Sequence, residues 1–140
     1  MTPTKPRILT RPLVLFLIAS FGTAASFYLL LSVVPLYATT VGAGGIGAGM
    51  ATAALMLATV AAELVTPRLV GRFGYRPVFA VGLLLLGAPA LALPAAGNLT
   101  AILVVCLVRG LGFAITVVVG SALVATLVPD ERRGEGLGLY

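Results

Sequence analysis

Histidine is absent from this sequence of 140 residues, cysteine occurs once and acidic side chains number four. With Cys106 alone and no histidine, neither a disulfide framework nor a Cys/His metal site can be assembled, and no cofactor is expected. Cys106 reads as a small packing residue. Nucleophile, base and metal ligands do not converge on any face, so an enzyme is the least expected class. Charge of either sign is scarce: 9% of residues are charged and 60% are apolar, a balance outside that of soluble domains of this size. The chain reads as a membrane protein.

Residues 12–62, 77–108 and 110–129 carry no charge at all. A helix needs about 20 predominantly apolar residues to cross the roughly 30 Å hydrocarbon core, so the first run is too long for one crossing and the second is uncomfortably long. Each carries its own break, GAGG at 42–45 and PAAGN at 94–98, glycine and proline signals that end helices. The expected fold is therefore all-α, a polytopic bundle of four spans at about 13–38, 47–65, 78–94 and 100–128 within one 13–128 unit. Residues 1–12 and 129–140 flank it. A cleaved secretory signal is the competing account of the first span, but its apolar stretch exceeds the usual 7–15 residues and no small-residue cleavage site follows at the right distance.

The excess of nine basic over four acidic residues would suggest a nucleic-acid or acidic partner in a soluble protein. Here the location of the charges matters more, and no nucleic acid is expected. Lys5, Arg7 and Arg11 precede span 1, Arg68, Arg72 and Arg76 lie between spans 2 and 3, and Arg132 and Arg133 follow span 4, whereas 39–46 and 95–99 are uncharged. The positive-inside rule then places the N terminus, residues 66–77 and the C-terminal tail in the cytoplasm of a cell whose inner or plasma membrane the chain crosses several times.

Two places stand out chemically. Arg109 lies about ten residues into span 4, near mid-membrane at 1.5 Å per residue. An arginine there costs roughly 2.5–3.5 kcal/mol on insertion scales and normally faces a cavity or a partner. The stretch TPRLVGRFGYRP at 66–77 spaces three arginines by four, which would align them on one face of a persisting helix. Pro67, Gly71 and Gly74 argue instead for a tight turn with arginines reaching helix ends or lipid phosphates. Glu63, at the cytoplasmic end of span 2, is expected to pair with Arg68 or a neighbour, with a proton-carrying role as the weaker reading. Small-residue stripes, Gly112, Thr116 and Gly120 on span 4 and Ala54, Ala58 and Ala62 on span 2, suit close helix contact in lipid. Pro35 and Pro89 remove backbone donors within or near the ends of spans 1 and 3 and are expected to kink them.

The 66–77 stretch resembles the loop between helices 2 and 3 of the major facilitator superfamily, whose signature reads approximately G-x-L-A-D-R-x-G-R-R. Leu69, Arg72, Gly74, Arg76 and the following Pro77 match; Pro67 stands where the first glycine is expected, and Gly71 where the acid is expected. In the family that acid joins a charge network that holds the transporter closed on the cytoplasmic side, and Glu63 stands nearest as a substitute. RGLGFA at 109–114 is similar to the R-x-x-x-G-x-G-type segment of helix 4, with looser spacing, and VPDERRGEGLGLY at 128–140 resembles the lead-in to helix 5. The resemblance implies a secondary transporter, present as its N-terminal part, that moves a small solute or drug by alternating access. It is compatible with efflux and with protons as the coupling ion, leaving direction and ion open, with membrane lipid as surroundings, and it implies a part for Arg109 in proton transfer or substrate binding. In such folds two six-helix halves, each of two inverted three-helix repeats, enclose the substrate near the midplane. Spans 1–3 would then form one repeat and span 4 begin a second, so residues 1–140 alone are expected to insert without carrying substrate. The alternative is a small four-span protein acting as a dimeric exporter or a non-transporting scaffold. The absence of an acid in span 1 and the strong charge bias count against the exporter.

Overall fold

The computed structural model describes residues 9–140, so Lys5 and Arg7 lie outside the described residues. Four long helices run Arg11–Thr40 (α1), Gly44–Phe73 (α2), Tyr75–Ala92 (α3) and Leu99–Leu127 (α4). A single 3-10 turn, Leu93–Ala95, follows α3, another, Asp130–Arg132, follows α4, and a short helix α5 closes the chain at Arg133–Leu139. Each long helix, with the turn after α3 included, is long and apolar enough to cross a membrane. At 1.5 Å per residue the 30 residues of α1 or α2 extend about 45 Å, through the hydrocarbon and into both interfaces.

Backbone chemistry sets the breaks. Between α1 and α2, Gly42 at φ 84° and Gly44 at φ 62° take left-handed conformations that side chains with a Cβ resist. Before α4, the Asn98 side-chain oxygen accepts from the Ala101 N–H at 2.8 Å, satisfying one of the donors that a helix start leaves free. Between α2 and α3 the outcome differs from the expected turn. The helix continues through Pro67 and Gly71 to Phe73, and Gly74 alone, at φ 84°, turns the chain. Proline deletes one N–H, which would have bonded the Glu63 carbonyl, and clashes locally; a long helix with formed turns on both sides absorbs that loss. Pro35 and Pro89 likewise lie inside unbroken α1 and α3. At the C-terminal end, residues 129–140 are an ordered return rather than a plain loop. Arg133 pairs with Asp130 at 2.6 Å, Arg132 with Glu135 at 2.6 Å, and the Arg133 Nε donates to the Ala125 carbonyl near the end of α4, where a cation suits the helix dipole.

The central element is α4, packed against both α2 and α3, while α1 packs mainly on α2 and more lightly on α4. It buries residues at nearly every turn, from Ile102 to Val124. The helix α2 presents Gly47, Ala51, Leu55, Ala58, Ala62 and Thr66 as its buried line, so Ala58 and Ala62 of the expected stripe are inside and Leu55 takes the place that Ala54 was assigned. A step of four residues overshoots a 3.6-residue turn, which is why the line shifts by one between Leu55 and Ala58. On α4, Gly112, Thr116 and Gly120 are all buried. Cys106 is 1% exposed and packs among Phe27, Ile102 and other core residues.

Candidate functional site

Two glycines on α4 bring its neighbours close around Arg109. A Cβ on Gly110 would collide with the Leu55 carbonyl of α2, and one on Gly112 would stand 2.5 Å from the Leu86 nitrogen and 2.7 Å from the Gly82 oxygen of α3. These are backbone approaches that only glycine permits. Next to them on α4, Arg109 is 1% exposed. Its Nη1 donates to the Leu86 carbonyl at 2.5 Å and its Nη2 to the Ser26 carbonyl of α1 at 3.4 Å, while Nε, buried, has no partner. Arg109 thus ties α4 to α3 and α1 through backbone oxygens.

The charge itself is uncompensated. All four acids of the chain are exposed, at 63, 130, 131 and 135, and the ion pairs among the described residues are Arg133–Asp130 and Arg132–Glu135. Carbonyl dipoles and hydrogen bonds stabilise a buried cation in part, but a full counter-charge is absent among the described residues.

One turn along α4 from Arg109, the Phe113 ring stacks on Phe27 of α1 with centroids 3.6 Å apart, and Tyr28 meets both rings edge-on. Phe113 and Tyr28 then form one wall of a cavity of about 390 Å³ between α1, α4 and the end of α5, where Ser20, Thr23, Thr116 and Tyr140 contribute hydroxyls. Sequence reasoning missed this aromatic and hydroxyl lining. The available signal was spacing: Phe113 and Thr116 follow Arg109 by four and seven residues, and Ser20, Ala24 and Tyr28 follow one another by four, so each set shares a helix face.

The other expected residues lie apart from Arg109. Glu63 is exposed and makes no ion pair among the described residues. The expected partnership with Arg68 is not formed, because α2 remains helical and five residues place the two side chains on different faces; the positions three and four residues on are Thr66 and Pro67. Leu69 and Gly71 lie on the last turns of α2, Arg72 beside them, Gly74 at the turn, and Arg76 on the first turn of α3. Arg72 lies over the Phe73 ring at 5.4 Å, a cation–π distance.

Four apolar helices in this order, with a glycine turn after an arginine-bearing α2 and a buried arginine beside glycines on α4, agree with one finding from known families. The family model of the Major Facilitator Superfamily matches residues 16–140. The chain belongs to that superfamily. Its members are transporters, so this is a multi-pass membrane protein of a transporter family. No curated protein and no solved structure gives a significant match.

Proposed function

We propose that this superfamily chain serves the transport of a small solute or drug across the cell membrane, with Arg109 in the substrate or proton pathway. The observation that carries the reading is a guanidinium buried in a membrane-spanning helix with an unpaired Nε and no carboxylate partner among the described residues. Such a group is expensive to retain for packing alone. It is suited to meet an anionic or strongly hydrogen-bonding group that arrives during a cycle, or to shift the protonation of a nearby carrier. The cavity lined by Phe113, Tyr28 and hydroxyl groups one turn away favours a mainly apolar solute with a few polar atoms. Alternating access would be rocking of packed helices around that level, with Gly110 and Gly112 as the close contacts against which α4 moves. Flux of candidate solutes into proteoliposomes holding a transport-competent form of the protein, with and without an imposed proton gradient, tests the reading; flux indifferent to Arg109 substitution removes that residue from the pathway.

Orientation is part of the proposal. The arginines between α2 and α3 and those after α4, against the uncharged turns after α1 and before α4, favour both flanks and the Gly74 turn on the cytoplasmic side. Reporter fusions after Thr40, Tyr75, Asn98 and Arg133 are expected to read outside, inside, outside and inside. An outside signal at Tyr75 reverses the assignment.

A further inference from the structure

Arg68, Arg72 and Arg76 are all exposed, and among the described residues none makes an ion pair. The 66–77 stretch contains no acid, Gly71 standing at the position where one was expected, and Glu63, the nearest carboxylate in sequence, makes no ion pair. Each arginine directly precedes in sequence a residue that lines one groove, and Arg72 lies 5.4 Å over the Phe73 ring; the groove, of about 320 Å³, is formed by Leu69 and Phe73 of α2, Pro77, Val78 and Val81 of α3 and Ile115 of α4. Its lining exposes no polar surface. Helical spacing explains the juxtaposition. Leu69 and Phe73 share one line of α2, each one residue beyond an arginine, and Pro77 and Val81 share one line of α3, with Arg76 just before Pro77. Gly74, between the two helices, turns the chain so that both lines face one groove.

We infer that this groove is a binding site for an anionic phospholipid, its phosphate held by Arg72 and Arg76 and one acyl chain lying along Phe73, Pro77 and Val81. The charge complementarity is specific to an anion, and a wholly apolar groove on helices long and apolar enough to cross a membrane suits an acyl chain rather than a soluble phosphate. Basic pockets between transmembrane helices are attractive to anionic headgroups on such grounds, with a free-energy gain for each arginine near the surface. Arg68, one helical turn before Arg72, adds to the local field. The inference rests on this surface alone and holds whether or not Arg109 acts in transport.

Native mass spectrometry of the purified chain in detergent, titrated with phosphatidylglycerol or with phosphatidylcholine of identical acyl chains, tests it without regard to membrane orientation. The wild type is expected to retain phosphatidylglycerol in preference. Arg72→Gln and Arg76→Gln should each weaken that preference about fivefold and the double variant about thirtyfold, whereas Arg72→Lys with Arg76→Lys keeps most of it. Val81→Trp, which fills the groove and leaves the arginines in place, should reduce retention of either lipid. Equal retention of the two lipids by the wild type, an unchanged preference in the double glutamine variant, or complete displacement by millimolar inorganic phosphate would each overturn the inference, the last by showing an anion site in which the groove has no part.

Discussion

In a transport-competent form of the protein, Arg109→Ala and Arg109→Met are expected to insert at least as well as the wild type and to transport at about a tenth to a hundredth of its rate. The opposite signs follow from the same burial. Removing a mid-membrane guanidinium relieves roughly 2.5–3.5 kcal/mol of insertion cost, and methionine restores much of the lost volume beside Cys106 and Leu86. What disappears is the charged donor. Hydrogen bonds to charged groups contribute about 1.5–3 kcal/mol each, which corresponds to about ten- to a hundredfold in a rate that depends on one of them. Arg109→Lys should also transport poorly. The carbonyls of Leu86 and Ser26 belong to different helices, and a single ammonium lacks the planar fork that reaches both and keeps Nε free. Yield in membranes and initial rate of solute flux are the paired measurements. Wild-type flux from both the methionine and lysine variants would reduce Arg109 to a packing residue.

The second large effect belongs to Gly112. A side chain there meets the backbone of Leu85 and Leu86 and the Gly82 carbonyl, all within 2.8 Å of the first added carbon, and backbone inside a helix cannot rotate away as a side chain can. Gly112→Leu must push α3 off α4. Overpacking costs typically 1–3 kcal/mol and more where rigid groups collide, so at least about 3 kcal/mol is expected. The displacement also pulls Leu86 away from Arg109, which leaves a buried cation with fewer partners and adds to the loss. Two glycines of the facing helix α3 calibrate the result. Gly82→Ala meets the stiff, β-branched side chains of Ile115 and Thr116 but no backbone, so a smaller loss than at Gly112 is expected. Gly87→Ala meets nothing within 4 Å and should be neutral or stabilising by up to about 1 kcal/mol through helix propensity. Unfolding in mixed detergent micelles, followed by circular dichroism, ranks the three. A Gly112→Leu protein as stable as Gly87→Ala would mean that α3 and α4 do not cross at this point.

Much of this molecule was legible in one dimension. The four spans follow from runs of uncharged residues, because the cost of burying charge and the gain from burying apolar surface are sums over a window and need no knowledge of neighbours. The same additivity singled out Arg109, whose cost stands out against any apolar background. The glycine turn at 42–45 was legible from local backbone chemistry, and so was Gly74. The continuation of α2 through Pro67 was not, since a proline penalty of local origin competes with cooperative helix on both sides and with packing of Thr66 and Ala62 against the bundle. Only the tertiary structure decided which faces meet. These helices are apolar all round, so hydropathy says almost nothing about their rotation; it is set by where small residues let backbones approach, Gly110 towards Leu55 and Gly112 towards Leu86. That rotation in turn chose the Ser26 and Leu86 carbonyls for Arg109, 83 and 23 residues away along the chain, and joined Phe27 to Phe113. It also left Glu63 away from Arg68, because a pairing argued across a turn fails once the turn is a helix and the two side chains leave it on different faces.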